Sequence, residues 1–311
     1  MALWRSFDEV PDDLGPTVVT VGNFDGVHLG HLSVLKQARE EAGREGLAVV
    51  VVTFDPHPMA VLRPDHAPSI ITPLDRRADL LMDAGADHVL ALAFDLEMAS
   101  WSPQHFVEKV LVETLRARVV VVGANFRFGH RAAGDVALLR EAGASAGFTA
   151  VGVELDGGPQ VWSSTYVRTC LAAGDVAGAA EALGHLFAVR GVVVEGDKRG
   201  RELGFPTANV PVDPQAAVPA DGVYAGRLRR VDDGTSYAAA ISVGTNPTFD
   251  GHRERRVEAY VLDRTDLELY DVEVEVAFTE RLRGMVRFDG VDALIETMHD
   301  DVARTRRILG T

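Results

Sequence analysis

Two histidines stand three residues apart in the segment Thr20–His31, which reads TVGNFDGVHLGH. His28 and His31 follow an apolar, strand-like run and lie where a helical pattern begins, and three glycines surround them. In an open parallel sheet, ligands bind where a strand passes into a helix. The free N–H groups and the dipole of a helix N-terminus attract anions. The segment therefore predicts a phosphate site at which two imidazoles donate hydrogen bonds.

Two other interpretations of this segment remain open at this point. His28 and His31 could bind zinc together with the neighbouring Asp25, although nothing downstream has the spacing of further ligands. The histidines could also be ordinary polar side chains of a loop. The glycines match neither the dinucleotide fingerprint nor the Walker A loop, so those two nucleotide sites are not indicated.

A second segment, residues 196–209, reads GDKRGRELGFPTAN and combines glycines with basic side chains before a strand-like run. Thr207 and Asn209 stand two residues apart on that run, so their side chains should point to the same face. Two oxygen-bearing side chains can share one Mg²⁺, which keeps its water and phosphate ligands. The loop with Gly196 and Gly200 could wrap a triphosphate. The alternative is a polar pair on a strand without a ligand.

Glu258 lies in the alternating run RVEAYVLD. Its neighbours Val257 and Ala259 belong to the apolar set, so Glu258 should face the opposite side of the strand. This carboxylate could act as a general base. It could equally be an exposed edge charge.

The elements that must position these residues differ between the two halves. The first half alternates between β-type and helical patterns, which predicts a parallel sheet covered by helices on both faces. Runs such as LAVVVVTF and ARVVVVG are almost wholly apolar, as in strands that are buried on both faces. The predicted strands are 17–22, 47–54, 88–94, 117–123 and 148–155, and the predicted helices are 31–42, 76–84, 103–115 and 136–147.

After residue 185 the pattern changes to short strands with two-residue alternation, separated by Gly, Asp and Pro. Such spacing predicts a small antiparallel β-barrel. One strong helix follows, from an expected N-cap at Asp289 to Leu309. We therefore predict two domains, residues 1–185, which end in a small helical subdomain at 163–184, and residues 186–311.

Composition limits the possible partners and the location. The net charge of −15 disfavours nucleic acid and anionic membranes, but basic loops at 125–134, 196–204 and 251–256 favour small phosphorylated ligands over solvated surface loops. A single cysteine, Cys170, excludes an internal disulfide and favours a reducing cytoplasm. No apolar run approaches the ~18 residues of a membrane span. The N-terminus lacks the pattern of a signal peptide.

Four motifs of the first half resemble, in order, those of the bacterial bifunctional riboflavin kinase/FMN adenylyltransferases, also called FAD synthetases. They are GNFDGVHLGH, whose HLGH is similar to the HxGH signature of the nucleotidylyltransferase superfamily, TFDPHP at 53–58, VGANFRFGHRAAGD at 122–135 and WSSTYVR at 162–168. The resemblance implies a Rossmann-like nucleotidylyltransferase domain in which the phosphate of FMN attacks the α-phosphorus of ATP and releases pyrophosphate. Such a reaction needs positioning and charge stabilisation more than covalent chemistry.

The resemblance also implies roles for individual residues of this half. His28 and His31 are the implied catalytic residues that hold the ATP phosphates. The implied ATP- and phosphate-binding residues are Asn23, Gly30, Asn125, Ser164, Thr165 and Arg168, and the implied flavin-binding residues are Pro56, His57, Pro58 and Phe128. Asn125 stands where relatives often have Asp; either side chain can accept a hydrogen bond.

In the second half, GFPTAN resembles the signature of riboflavin kinases, and PADGVYAG at 219–226 and GTNPTF at 244–249 match the same family. The resemblance implies a riboflavin kinase barrel in which Glu258 takes the proton from the ribityl 5′-hydroxyl as it attacks the γ-phosphorus of ATP. Thr207 and Asn209 are the implied Mg²⁺ ligands, and they bind ATP together with Gly196 and Gly200. Relatives generally have Gly where this chain has Asp271, so a local change is expected there.

The sequence thus predicts a cytoplasmic enzyme of FAD biosynthesis that uses ATP and Mg²⁺. FMN and FAD are expected as substrate and product rather than as prosthetic groups. The expected partners are riboflavin, FMN, FAD and ATP, without nucleic acid or membrane, and a homo-oligomer is compatible with the sequence. Two alternatives stay open: only one module is active, or the chain is a flavin-binding regulator that keeps both folds. A nucleic-acid-binding barrel fits poorly, because no strand carries an aromatic cluster.

Overall fold

The computed structural model of the chain describes residues 1–154, 162–196, 204–247, 253–264 and 266–311. The chain divides into two compact units, Met1–Ser164 and Thr165–Thr311. A six-stranded sheet with the order β1-β4-β3-β2-β5-β6 forms the first unit, and all of its paired strands are parallel. Its strands are β1 (Ala2–Trp4), β2 (Thr17–Val21), β3 (Ala48–Asp55), β4 (His88–Ala93), β5 (Ala117–Gly123) and β6 (Thr149–Val153).

Helices cover both faces of this sheet. They are α1 (Leu29–Glu45), α2 (Pro58–Leu62), α3 (Leu74–Asp83), α4 (Leu96–Ala99), α5 (Pro103–Phe106) and α6 (Val136–Ala146), and α5 continues in π-helical geometry over Val107–Thr114. Alternate residues of one strand enter different apolar layers, because successive side chains of a strand point to opposite faces. Val19 packs in the layer that contains Leu111, whereas Val18 packs in the layer that contains Leu35 and Leu81. The predicted parallel sheet with helices on both faces is confirmed.

The strand order reverses at β2, which has β3 on one side and β5 on the other. In open α/β sheets, the crevice outside the carboxyl ends of the strands at such a reversal is where ligands bind. Three of the motifs follow the carboxyl ends of β2, β3 and β5. The topology therefore directs all three loops to the same edge of the sheet.

The strand β1 was not predicted. It is only three residues long and lies at the edge of the sheet, where Leu3 pairs with Val89 of β4. A run of this length carries too little periodicity to be recognised in the sequence.

The second unit contains a nearly closed antiparallel sheet with the order β7-β12-β9-β10-β11-β8. An isolated bridge between Val194 and Asn209 joins the chain after β7 to β8, so the two ends of the sheet approach each other. The predicted antiparallel barrel is therefore confirmed. Its strands are β7 (Ala188–Val192), β8 (Thr207–Pro211), β9 (Gly222–Arg230), β10 (Ser236–Pro247), β11 (Arg253–Val261) and β12 (Glu273–Arg283).

Two short helices precede the barrel, α7 (Ser164–Ala173) and α8 (Val176–Leu183), and the side chain of Asp175 caps α8. Beyond Ser164 both helices belong to the second compact unit, in which Leu171 O accepts the N–H of Ala220 at 2.9 Å. The predicted boundary at residue 185, between the domains that carry the two activities, stays a prediction.

The last helix, α9 (Val291–Leu309), packs on the barrel. Arg283 on β12 donates to both carboxylate oxygens of the buried Asp301 on α9, with distances of 2.8–3.1 Å. The predicted N-cap at Asp289 was wrong. The helix begins at Val291, and its N-cap is Gly290, which makes no side-chain cap.

Asp271 adopts a φ of 62°, in the left-handed region that favours glycine. Aspartate is one of the residues that tolerate this conformation. The left-handed backbone at this turn explains why glycine suits this position in relatives. Asp271 adopts the same φ region.

Candidate active sites

His28 and His31 lie together at the start of α1, on the loop that follows β2. His28 is the N-cap, and its Nδ1 accepts the backbone N–H of His31 at 3.3 Å. The two rings are stacked, with centroids 3.6 Å apart and planes 24° apart. The loop thus delivers both imidazoles to the positive end of a helix, at the edge where the strand order reverses.

The surroundings of His31 favour a neutral ring in the absence of a ligand. Burial lowers the pKa of His31 well below its ordinary value, and the neighbouring His28 and Arg77 lower it further. Its Nδ1 is buried and finds no hydrogen-bond partner within the described part of the chain. Because a polar atom buried without a partner is costly, a ligand that pairs with this ring would gain affinity. The negative charge of a bound anion would also favour the charged form of the ring, opposite to the effect of His28 and Arg77.

The backbone of the histidine loop has an unusual course. Gly26 has a φ of 89°, but Phe24 and Val27 also have positive φ, 50° and 45°, although neither is glycine. For a β-branched residue such a φ is a strained conformation. Both side chains are almost fully buried, at 2% and 1% exposure, so core packing holds the loop in this form.

Of the three loop glycines, Gly22, Gly26 and Gly30, only Gly26 has a positive φ. Gly30 is instead required for close packing. A Cβ there would lie 3.1 Å from the ring of His28 and 3.2 Å from Trp162 O.

Asp25 organises the loop from within. Its buried carboxylate accepts the backbone N–H groups of Ile71 and Thr72 at 2.9–3.1 Å. Its own carbonyl accepts a hydrogen bond from Ser164 Oγ at 2.8 Å, which brings the fourth motif to the first. No group of three or more His, Cys, Asp or Glu residues that could hold a metal occurs among the described residues. This geometry makes Asp25 a loop anchor and gives no support to a zinc site.

The loop after β3 meets the loop after β2. His57 is the N-cap of α2, and its Nδ1 accepts the N–H of Met59 at 3.1 Å. The other ring nitrogen of His57, Nε2, lies 3.2 Å from the side-chain Nδ2 of Asn23. Pro56 and Pro58 flank His57 on this loop.

The loop after β5 carries Asn125 and Phe128. Asn125 is exposed on a turn. We place it near the site because β5, which it follows, is the neighbour of β2 in the sheet. Phe128 is only 7% exposed, and its ring stacks on that of Phe126 at 5.4 Å. A Cβ on Gly134 would lie 2.7 Å from the ring of Phe128. The structure thus gives Phe128 a core position, with the partly exposed Phe126 packed against it.

Thr165 and Arg168 follow Ser164 on α7, one and four residues further along the chain. They begin the second compact unit, whereas Ser164 ends the first. Their contribution to the phosphate site stays a prediction.

The second site lies on the barrel strands β8 and β11. In their antiparallel register Asn209 stands directly opposite Glu258, and Thr207 stands opposite Tyr260. Directly opposite residues of two paired strands point to the same face, and so do residues two apart on one strand. The side chains of Thr207, Asn209 and Glu258 therefore share one face. The opposite face carries the core residues Ala208, Val210, Val257 and Ala259.

The chain segment before this strand crosses closely over Asn209. A Cβ on Gly196 would lie 2.3–2.7 Å from side-chain atoms of Asn209, so only glycine fits there. Phe205 is 5% exposed and packs edge-on against Tyr260 at 5.1 Å, which anchors the start of β8. Gly200 lies outside the described residues.

Arg77, whose guanidinium is buried beside the first site, was not predicted from the sequence. A signal was present, since Arg77 lies at helical spacing from the buried Leu81 of α3 and thus interrupts an apolar stripe. The N–H donors that bind Asp25 were not predicted either, because they come from a distant part of the chain.

Comparisons with known proteins cover both units. The family model described as FAD synthetase matches residues 10–165, and the model described as riboflavin kinase matches residues 183–309. The bifunctional riboflavin kinase/FMN adenylyltransferase of Escherichia coli (strain K12) is 38% identical over 295 residues, which cover 94% of this chain and 93% of the relative. The protein of the same description from Pseudomonas fluorescens is 39% identical over 312 residues, with 99% and 98% covered.

A crystal structure described as a macrolide-efflux protein from Streptococcus pneumoniae is also similar. Its TM-score is 0.87 at 30% sequence identity, and 98% of each chain is covered. In the part of the present chain that the structure describes, no helix is both long and apolar enough to cross a membrane.

Proposed function

Because the chain belongs to the family of bifunctional riboflavin kinase/FMN adenylyltransferases, we propose that its two reactions take place at two separate sites, one centred on His28 and His31 and one on Thr207, Asn209 and Glu258. The chain phosphorylates riboflavin to FMN with ATP, and it adenylylates FMN to FAD with ATP, releasing pyrophosphate. The assignment of these reactions to residues rests on the geometry of each site.

At the first site the stacked pair His28 and His31 receives the phosphates of ATP at the N-terminus of α1. Negative charge builds up on the pyrophosphate as the bond to the α-phosphorus breaks. A ring that is neutral before binding can take up a proton when the anion arrives and then donate a hydrogen bond to it. The pair Asn23 and His57, joined at 3.2 Å, closes one side of this site and orients the substrates.

FMN approaches from the loops after β3 and β5, where Pro56, His57 and Pro58 would border the flavin. Phe128 supports this wall from beneath, because its ring is buried and stacks on the ring of Phe126. Asn125 projects from the same loop and accepts a hydrogen bond from the bound nucleotide. Ser164, whose Oγ donates to Asp25 O at 2.8 Å, contributes a hydroxyl for the distal phosphates.

At the second site Glu258 accepts the proton of the ribityl 5′-hydroxyl while that oxygen attacks the γ-phosphorus of ATP. Glu258 lies opposite Asn209 in the β8–β11 register, so the proposed base and the proposed phosphate-binding side chain point to the same face of the sheet. Gly196 crosses over Asn209 and brings backbone N–H groups close to the phosphates.

The donor set of the second site suits Mg²⁺. Thr207 and Asn209 offer neutral oxygen atoms on one face, and Glu258 adds a carboxylate nearby. Mg²⁺ prefers oxygen ligands and retains waters and substrate phosphates, so two protein ligands are enough. When bound, the ion neutralises charge on the transferred phosphoryl group. Thr207 and Asn209 would hold it.

The observation that carries this assignment is the placement of His28 and His31 at the carboxyl edge of a parallel sheet where the strand order reverses. The purified chain should be incubated with riboflavin, ATP and Mg²⁺, and FMN and FAD resolved by chromatography. FMN should appear first and FAD afterwards. With FMN supplied instead of riboflavin, FAD should form directly. Loss of both products in a His28→Ala variant would refute the division into two sites.

Riboflavin, FMN, FAD and ATP are the proposed small-molecule partners. A cytoplasmic location and a homo-oligomeric state stay predictions, and Cys170, buried and reduced, is compatible with the reducing compartment expected from the sequence.

A further inference from the structure

Arg77 is a buried arginine in the apolar stripe of α3. Its side chain belongs to none of the four motifs of the first half, and the residue is only 4% exposed. The neighbouring stripe residues Ala78 and Leu81 pack in the apolar layer beneath the sheet. A charge in such a place is costly unless hydrogen bonds compensate for the lost water. The position therefore calls for a reason other than packing.

The guanidinium binds the ends of two neighbouring strands. Its Nη1 donates to Asn23 O at 2.8 Å, to Thr53 Oγ1 at 3.1 Å and to Phe54 O at 3.3 Å. Thr53 Oγ1 in turn donates to Asn23 O at 2.9 Å. One nitrogen thus joins Asn23, two residues beyond the end of β2, to the C-terminal end of β3.

These two anchor points lead directly to the residues that meet above them. The side chain of Asn23 contacts His57 Nε2 at 3.2 Å, and His57 follows Phe54 by three residues. On the other side, Asn23 precedes the strained loop that ends at His28. A backbone held at Asn23 O and Phe54 O therefore holds both loops in register, so the Asn23–His57 contact does not depend on those side chains alone.

Burial lowers the pKa of Arg77, while Asp25 and Asp55 raise it in part. Acidic neighbours thus offset some of the desolvation of the guanidinium. Replacing a whole buried ion pair by apolar residues is often neutral or stabilising, but removing one charged partner is strongly destabilising. Arg77 therefore also stabilises the fold, and its effect on the reaction must be measured apart from its effect on stability.

We infer that Arg77 is a positioning residue for adenylyl transfer, which fixes the relative placement of the loops that carry Asn23, His28 and His57. The inference deepens the proposed function of the first site and rests on it. Arg77 contacts no substrate in this scheme; it acts through the backbone of Asn23 and Phe54.

The test uses the full chain, in which riboflavin phosphorylation at the second site serves as an internal control. Arg77→Met keeps the length and removes the donors, and it should lower kcat for FAD formation by about 100-fold, the effect of misplacing reacting groups by ~1 Å. KM for FMN and for ATP should change by less than about 3-fold, because groups that bind the substrates remain. Riboflavin phosphorylation should stay unchanged.

Two further variants separate positioning from stability. Arg77→Lys should restore kcat to within about 5-fold of the wild type, because a single nitrogen makes all three contacts and the fork of arginine is not used. Arg39→Met is the matched control, since Arg39 is an exposed residue of the same unit that pairs with Asp87 at 3.0 Å. It should leave both activities unchanged.

Thr53→Val keeps the shape of a buried side chain and removes the bridging hydroxyl, so it decides the question if Arg77→Met does not fold. It should lower kcat for FAD formation by about 5- to 10-fold, roughly the effect of one lost hydrogen bond. Unchanged kcat in Thr53→Val or Arg77→Met, or equal losses in Arg77→Lys and Arg77→Met, would overturn the inference. Failure of the wild type to make FAD from FMN, or full activity of His28→Ala, would instead overturn the proposed site itself.

Discussion

The imidazole rings of His28 and His31 lie 3.6 Å apart, centroid to centroid, at the N-terminus of α1. Two positively charged rings at this distance would repel each other, and the positive end of the helix dipole disfavours a positive charge on either ring. Burial and the neighbouring His28 hold the pKa of His31 well below its ordinary value, so this ring is neutral without a ligand, and a bound polyanion would favour its charged form. The first two predictions concern this coupling.

His28→Ala should lower the rate of FAD formation from FMN by about 100- to 1,000-fold, the effect of removing one donor that stabilises developing charge. Riboflavin phosphorylation should remain at the wild-type rate, because Glu258 and its neighbours lie in another compact unit. Initial rates of both reactions, measured by chromatography, give the comparison. His66→Ala, an exposed histidine of the same unit, is the matched control and should change neither rate.

The lowered pKa of His31 should make the stability of the first unit depend on pH. The unfolded chain binds a proton at this ring below about pH 6.5, while the folded protein does not. This contribution to stability is complete above that pH and is lost as the pH falls toward the folded pKa. Between pH 7.5 and 5.5 the wild type should lose about 1 kcal/mol more than His31→Gln, or roughly 2–4 °C in Tm.

Tryptophan fluorescence can follow this transition selectively, since Trp4, Trp101 and Trp162 all belong to the first unit. His66→Gln should keep the pH dependence of the wild type. Identical pH dependences in the wild type and in His31→Gln would contradict the neutral state of the buried ring.

Glu258→Gln keeps the shape of the side chain but removes the group that accepts a proton. It should slow riboflavin phosphorylation by about 100- to 10,000-fold, the range associated with a general base. FAD formation from supplied FMN should be unaffected. Glu268→Gln, an exposed residue of the same unit, is the control. Equal loss of both reactions in Glu258→Gln would show that the two sites are not independent.

Thr207→Val removes one proposed Mg²⁺ ligand and keeps the β-branched shape that suits strand β8. The Mg²⁺ concentration for half-maximal riboflavin phosphorylation should rise about 10-fold, equivalent to ~1.4 kcal/mol. Thr297→Val on α9 removes a hydroxyl that donates to Ala293 O and should leave the Mg²⁺ dependence unchanged. A Mg²⁺ titration with the same midpoint for Thr207→Val and the wild type would exclude Thr207 as a ligand.

Features with a local cause could be predicted from the sequence. The apolar runs of β3 and β5 indicated buried parallel strands, because side chains on both faces of such strands need apolar neighbours. The two-residue repeat likewise predicts that Thr207 and Asn209 share one face, in agreement with the β8–β11 register. The histidine pair was expected at a helix start, and His28 is the N-cap of α1.

Local rules were overridden where packing was stronger. Glycine adopts a positive φ most readily, yet Phe24 and Val27 also adopt it, and their side chains are held in the core. Asp289 had the right residue type for an N-cap, yet the helix begins after Gly290. At Phe24 and Val27 core packing exceeds the modest preference of single residues, whereas residues 289–291 are exposed and no packing explains the later start of the helix.

The sequence by itself determined the two modules, their periodicities and the residue types at each phosphate site, because these depend on neighbours along the chain. Only the tertiary structure decided that Asn209 stands opposite Glu258, that Asn23 meets His57, and that Arg77 binds the backbone beneath them. Strand order and register bring these groups together across long stretches of chain. They follow from the packing of the whole unit, which no local pattern encodes.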